Sequence, residues 1–280
     1  SVRKIKIAVI ASGHIPSQFA HSINTIKHAE AFTELGYMTE VLSVKRFYEN
    51  KYLDQIDNIF DWYGVDNLKV NYFVDRSAFY FKEVRYISRL LNVINNLTNR
   101  RFQNFLCPEK KISHFINKNN FDLCFARTYK TVLYNIKHKI PTIMETHNPH
   151  PENNSDLSKI LKLSASKYFR GIVTIHEKLK TKYMSLGVPR KKILVLEDAV
   201  NLANFDNISD DIIKNRVEVA IPFDKKIILY CGSLKPGKGI HLILNTAKKL
   251  ENDDHLLFYI VGGNSKEIQY WKSYKNKIYS

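Results

Sequence analysis

Short apolar runs rich in β-branched residues recur along the chain, separated by stretches where apolar positions return every three or four residues. The first run, Ile5–Ile10 (IKIAVI), is continuous over few residues, the pattern of a parallel strand buried on both faces. It ends in the small residues Ala11-Ser12-Gly13, followed by His14. From Phe19 to Leu35 the positions Ile23, Ile26, Phe32 and Leu35 recur at roughly helical spacing, and Gly36 supplies a stop. Thr39–Val44 (TEVLSV) reads as the next strand. Strand, helix, strand is a β-α-β unit, which predicts a parallel sheet with a right-handed crossover.

The pattern continues less evenly. Residues 46–67 mix aromatics and acids without a clear period, and Leu68–Val74 (LKVNYFV) predicts a strand. Arg76–Phe105 reads as helical, with Val84, Ile87, Leu90, Leu91, Ile94 and Leu97 on one side and Arg85, Arg89, Arg100 and Arg101 on or near the other. Strands are predicted at Phe121–Ala126, Pro141–Glu145, Gly171–Ile175 and Lys192–Glu197. Helices are predicted at Ser155–Phe169 and Glu177–Ser185, the latter stopped by Gly187 and Pro189. Strands alternating with helices in this way predict an α/β fold with a doubly wound sheet.

Residues 201–224 are weakly patterned, and after them the opening motif starts again. Lys226–Tyr230 (KIILY) is a strand, residues 231–239 a Gly-rich turn, Ile240–Leu250 a helix and Leu256–Val261 (LLFYIV) a second strand ending in Gly262-Gly263. The chain therefore divides into a Rossmann-like domain over 1–205, a linker over 206–224 and the start of a similar domain over 225–280. Only about 55 residues follow the linker, too few to bury a comfortable core, and their sheet would expose an unpaired edge. The expectation is a fragment cut within its second domain.

Composition changes the picture in three ways. No run approaches the roughly 20 apolar residues of a membrane-spanning helix. Cys107, Cys124 and Cys231 lie far apart without CxxC pairing, which fits a reduced, cytoplasmic protein. A net charge of +16 favours anionic partners such as nucleotides, phosphorylated lipids or anionic bilayers. Nucleic acid is not the expected partner, because Lys and Arg are scattered and no RNA- or DNA-binding motif is present.

Candidate chemistry gathers at strand ends. The turn in YCGSLKPGKG (230–239) places backbone N–H groups and a helix N-terminus where an anion can be held, with Lys238 able to add a charge-assisted bond. It matches neither the P-loop nor the dinucleotide pattern, so its glycines are anion-cradle or plain turn residues. In open α/β sheets ligands bind at the carboxyl ends of strands, which singles out Gly13, Arg127, Glu145 and His147. Gly13 is either a turn glycine or a point of close backbone approach, Arg127 a polar contact or a surface arginine, and His147 a ligand contact or a solvated loop residue. His147 and His150 are three apart after a strand and among prolines, a spacing that does not make a metal site.

The segment 230–263 resembles the donor-binding start of the C-terminal domain in family-4 retaining glycosyltransferases of the GT-B fold. The match rests on Gly232, Leu234, Lys238, Gly239, Val261 and Gly262. Ala20-His21-Ser22-Ile23 with Ala29-Glu30-Ala31-Phe32 and Leu35-Gly36 is similar to the family's first helix. Leu186-Gly187-Val188-Pro189, Lys192-Ile193 and Asp198–Phe205 (DAVNLANF) resemble the segment closing its acceptor domain.

The resemblance implies a GT-B-like fold of two Rossmann-like domains and transfer of a sugar from a nucleotide-sugar donor to a glycan or lipid-linked acceptor, with retention and without a metal or other cofactor. It implies donor contacts at Gly13, Gly232, Ser233, Lys238 and Gly262, catalytic roles for His147 and Arg127, and acceptor-side roles for His14 and Glu145. It also implies work at the inner face of a membrane in surface polysaccharide synthesis, with the basic 76–105 stretch as the candidate contact. The sequence departs from the family at three positions. Ser233 stands where many members carry an arginine, His176 where a serine is common, and Ala199 where a glycine is usual. The family's later pair of glutamates would fall beyond Ser280. A sugar-nucleotide 2-epimerase shares the two-domain architecture and is the rival enzyme; a non-catalytic basic binding or scaffold fragment is the rival outside enzymology.

Overall fold

The computed structural model describes residues 3–17, 19–45, 56, 58–66, 68–74, 108–147, 161–202 and 221–279. The predicted helix over 76–105 and most of the predicted linker lie outside these residues. The chain forms two compact units, Ser1–Ala199 and Val200–Ser280.

The first unit is a seven-stranded parallel sheet in the order β3-β2-β1-β4-β5-β6-β7. The strands are β1 (Lys6–Ile10), β2 (Met38–Lys45), β3 (Lys69–Val74), β4 (Leu123–Ala126), β5 (Thr142–Thr146), β6 (Phe169–Thr174) and β7 (Ile193–Val195). Its helices are α1 (Ala20–Glu34), α2 (Ile59–Tyr63), α3 (Pro108–Lys118), α4 (Tyr129–Lys137) and α5 (Glu177–Ser185). The order runs outward from β1 in one direction and from β4 in the other, so the connection reverses between these two neighbours. Alternate residues of β1 feed opposite cores, as a pleated strand requires. Ile7 and Val9 pack with Ile26 and Ala29 of α1 and Tyr63 of α2, whereas Ala8 and Ile10 pack with Ile112 and Ile116 of α3, Val132 of α4 and Tyr183 of α5.

The strands fall where the apolar runs predict them, within two residues. The helix predicted over 155–169 is too long at its end: residues 161–165 are helical, but Phe169 opens β6 and is buried. Lys192 explains the stop, since its ammonium donates to the carbonyls of Ser164, Ser166 and Phe169 at 2.7, 3.1 and 3.0 Å. The face of α1 also differs from its apolar spacing. Ile23 and Leu35 are exposed, and the buried stripe is Ser22, Thr25, Ile26 and Ala29. Small residues let the helix lie close to the sheet, and the Thr25 hydroxyl bonds back to the carbonyl of His21 at 2.8 Å.

The second unit pairs β8 (Lys226–Cys231) in parallel with β9 (Leu256–Val261) and carries α6 (Ile240–Lys249) and α7 (Ser265–Tyr279). Leu234, Ile240 and Leu244 are its buried residues, with Trp271, Tyr274 and Ile278 of α7 against them. Asn264 caps α7: its carboxamide oxygen accepts from the amides of Lys266 and Glu267, and Glu267 accepts in return from the amide of Asn264.

Candidate functional site

The site in the first unit is built at the carboxyl ends of β1, β4 and β5, where the sheet order reverses. The loop leaving β1 is held from below by buried hydroxyls. Ser43 on β2 accepts from the amide of Ile15 at 3.0 Å. Ser22 of α1 donates to the carbonyl of His14 at 3.1 Å and meets the Ser17 hydroxyl at 2.7 Å. Tyr63 accepts from the amide of Ser17 at 2.7 Å and donates to its carbonyl at 2.9 Å. Residues Gly13 and His14 are thereby presented at the top of the sheet on a fixed loop.

Above this loop sits the imidazole of His21, in the first turn of α1, stacked on Phe19 at 5.5 Å between ring centroids. A Cβ on Gly13 would lie 2.5 Å from Nε2 of His21, so the missing side chain of Gly13 is the space this ring occupies. Burial, then the charges of Arg127 and His14, lower the pKa of His21.

Glu145, near the end of β5, is 3% exposed and gathers its neighbours around it. Its Oε1 accepts from Nδ2 of Asn24 on α1 at 3.2 Å and lies 2.7 Å from Nε2 of His147. Its Oε2 lies 3.4 Å from Nε of Arg127, the residue that follows β4. Nη1 of Arg127 is buried without a hydrogen-bond partner among the described residues. The structure thus brings together His14, Arg127, Glu145 and His147 with Gly13, and adds two residues the sequence reading did not single out, His21 and Asn24. Both lie on the first helix, whose capless start hid them among ordinary helical positions.

In the second unit the residues predicted to hold a donor surround the ends of β8 and β9. Gly232 donates its amide to the carbonyl of Val261 at 3.0 Å. Gly262 has φ 126°, and a Cβ there would stand 2.0 Å from the carbonyl oxygen of Gly232. A glycine at 262 is therefore needed for the strand ends to come this close. Gly239 (φ 78°) precedes α6, and Lys238 is exposed with no carboxylate partner among the described residues. Ser233 is exposed, its carbonyl accepting from the Tyr230 hydroxyl at 2.8 Å, and Trp271 donates to the carbonyl of Leu234 at 2.7 Å. The arrangement offers an unshielded ammonium beside the N-terminus of α6, suited to an anion. The substitution at His176 has a local reason: its Nδ1 accepts from the amide of Leu179 at 3.2 Å and so caps α5 in the way a serine would.

No protein-family model matches the chain. Over 92 residues it is 29% identical to an Escherichia coli K12 protein carrying the name colanic acid biosynthesis glycosyl transferase WcaI, a span of 32% of this chain and 22% of the relative. Among solved structures, Anabaena Alr3699/HepE in complex with UDP and glucose aligns with a TM-score of 0.63 at 14% identity, covering 98% of this chain and 65% of that one. A glycosyltransferase from Rickettsia africae aligns with a TM-score of 0.62 at 17% identity over 98% of this chain and 64% of its own. UDP-GlcNAc 2-epimerase from Neisseria meningitidis bound to UDP-GlcNAc aligns with a TM-score of 0.54 at 17% identity, covering 96% and 70%. The chain thus spans just under two thirds of the Anabaena and Rickettsia africae structures and about a fifth of the curated relative. The fold is GT-B-like, with parallel sheets in both Rossmann-like units.

Proposed function

We propose that this chain is the acceptor-side domain and the opening of the donor domain of a glycosyltransferase that moves a hexosyl group from a nucleotide sugar to a glycan or lipid-linked acceptor, in surface polysaccharide synthesis. The observation that carries the reading is the glycine-lined cradle of the second unit, with Lys238, which has no carboxylate partner among the described residues, beside the start of α6. UDP is the proposed carrier, because a similar fold is solved with UDP and glucose. Transfer proceeds with retention: the bond from the anomeric carbon to the diphosphate breaks, the acceptor oxygen bonds to the same face, and its proton passes to the departing phosphate oxygen. Lys238 and the α6 terminus stabilise the negative charge that develops on the leaving diphosphate. His147 and Arg127 meet the acceptor in the first unit.

The test, made on the full-length protein, is calorimetric titration of UDP and UDP-glucose, followed by nucleotide release with and without acceptor glycans. UDP binding is expected, with Lys238→Ala weakening it roughly 10- to 100-fold, the loss of one or two charge-assisted bonds. Release that requires an acceptor supports transfer, and absence of any nucleotide binding overturns the reading. The likeness to a 2-epimerase supports one alternative, isomerisation of UDP-GlcNAc without acceptor and without UDP release.

A further inference from the structure

One carboxylate in the first unit ties three elements together, and the chemistry of that contact fixes more than position. Glu145 is almost fully buried at the end of β5, and its two oxygens face three donors from different parts of the chain. Asn24 reaches it from α1, Arg127 from the end of β4 and His147 from two residues further along its own strand end. A carboxylate can only accept hydrogen bonds, whereas a neutral imidazole donates from one nitrogen and accepts at the other. At 2.7 Å from Oε1, Nε2 of His147 must therefore carry the proton, and in the neutral ring Nδ1 is then a lone pair. Glu145 has no free surface with which to touch a ligand, while the His147 ring is partly exposed, with 23% of its side chain accessible.

We propose that Glu145 is a positioning residue that locks His147 in the Nε2–H tautomer, so that Nδ1 accepts a hydrogen bond from a hydroxyl of the acceptor sugar. Asn24 holds the carboxylate from the helix side, so that Oε1 cannot turn away from the imidazole. Arg127 neutralises the buried charge and keeps its Nη1 for a second contact. The proposal rests on the reading of this face as the acceptor side, and it replaces a direct acceptor contact by Glu145 with one made through His147.

The experiment is a long-range 1H–15N correlation spectrum of the full chain labelled at histidine, recorded near pH 8.5, above the ordinary imidazole pKa of roughly 6.5. The His147 signals are assigned by their loss in His147→Gln. The expected result is a single Nε2–H tautomer in the wild type and a mixture of both tautomers in Glu145→Ala. A wild-type His147 protonated at Nδ1, or a Glu145→Ala protein with the tautomer unchanged, overturns the proposal. A mixture of tautomers in the wild type also overturns it, and where Glu145→Ala does not fold, Glu145→Gln takes its place in the comparison. Sugar transfer is not measured, so a failed transfer assay beside an Nε2–H tautomer counts against the functional reading alone.

Discussion

At the scale of single residues, charge in the first unit is set by what each group is buried against. Glu40 on β2 shows the balance: burial alone would push its pKa up, yet hydrogen bonds from Lys6, Asn71 and Lys69 outweigh it and the net direction is down. His21 goes the same way for a different reason, since burial and the nearby Arg127 and His14 all disfavour its cationic form. The linkage has a definite sign. Below the ordinary value of 6.5 the unfolded chain takes up a proton at this position more readily than the folded one, so acid in that window favours unfolding. Stability from His21 is fully present above 6.5 and falls as the pH drops below it. Melting temperatures between pH 8 and pH 5 should therefore decline less steeply in His21→Gln than in the wild type. Superimposed profiles would show that the ring titrates alike in both states.

At the scale of elements, the strands were legible because continuous apolar runs and alternation survive in any parallel sheet. Ile7 and Val9 on one face and Ala8 and Ile10 on the other need no tertiary information to be placed in a core. Helices were read less well. The α3 segment begins with Pro108-Glu109, and α7 with Asn264 three residues before Glu267, both helix-start signals. They passed unread because the apolar period that follows each is short or interrupted by lysines. The candidate site was half legible: strand ends pointed to Gly13, Arg127, Glu145 and His147, but contact across 121 residues between Asn24 and Glu145 leaves no local trace.

The glycines of the second unit were legible as a turn, and the structure supplies the reason Gly262 is needed. Gly262→Ala forces a side chain into the left-handed region, at roughly 1–3 kcal/mol, and drives it into the carbonyl of Gly232. Amide hydrogen exchange should then quicken across β8 and β9 while β1 to β7 keep their protection. Unchanged protection in β8 and β9 would mean that the strand ends can part without cost.

At the scale of the molecule, 43 lysines and arginines against 27 acids leave a charge of +16, and the ion pairs show how the acids are spent. Among the described residues Asp122 pairs with Arg3, Glu109 with Lys130 and Glu251 with Lys248, while Glu40 takes both Lys6 and Lys69. No helix among the described residues is long and apolar enough to cross a membrane. Membrane contact through this excess of charge acts at the surface, where each lysine or arginine near an anionic leaflet contributes about 1 kcal/mol within a Debye length. Such attraction is additive, non-directional and strongly screened, which separates it from insertion of an apolar face. Vesicles containing phosphatidylserine should sediment the protein at about 20 mM salt and release it near 500 mM, where the Debye length falls to a few ångströms. Neutral vesicles should leave it in solution throughout. Equal sedimentation with both kinds of vesicle would take the basic surface out of acceptor delivery, and a lipid-linked acceptor would then have to be drawn in by sugar contacts alone.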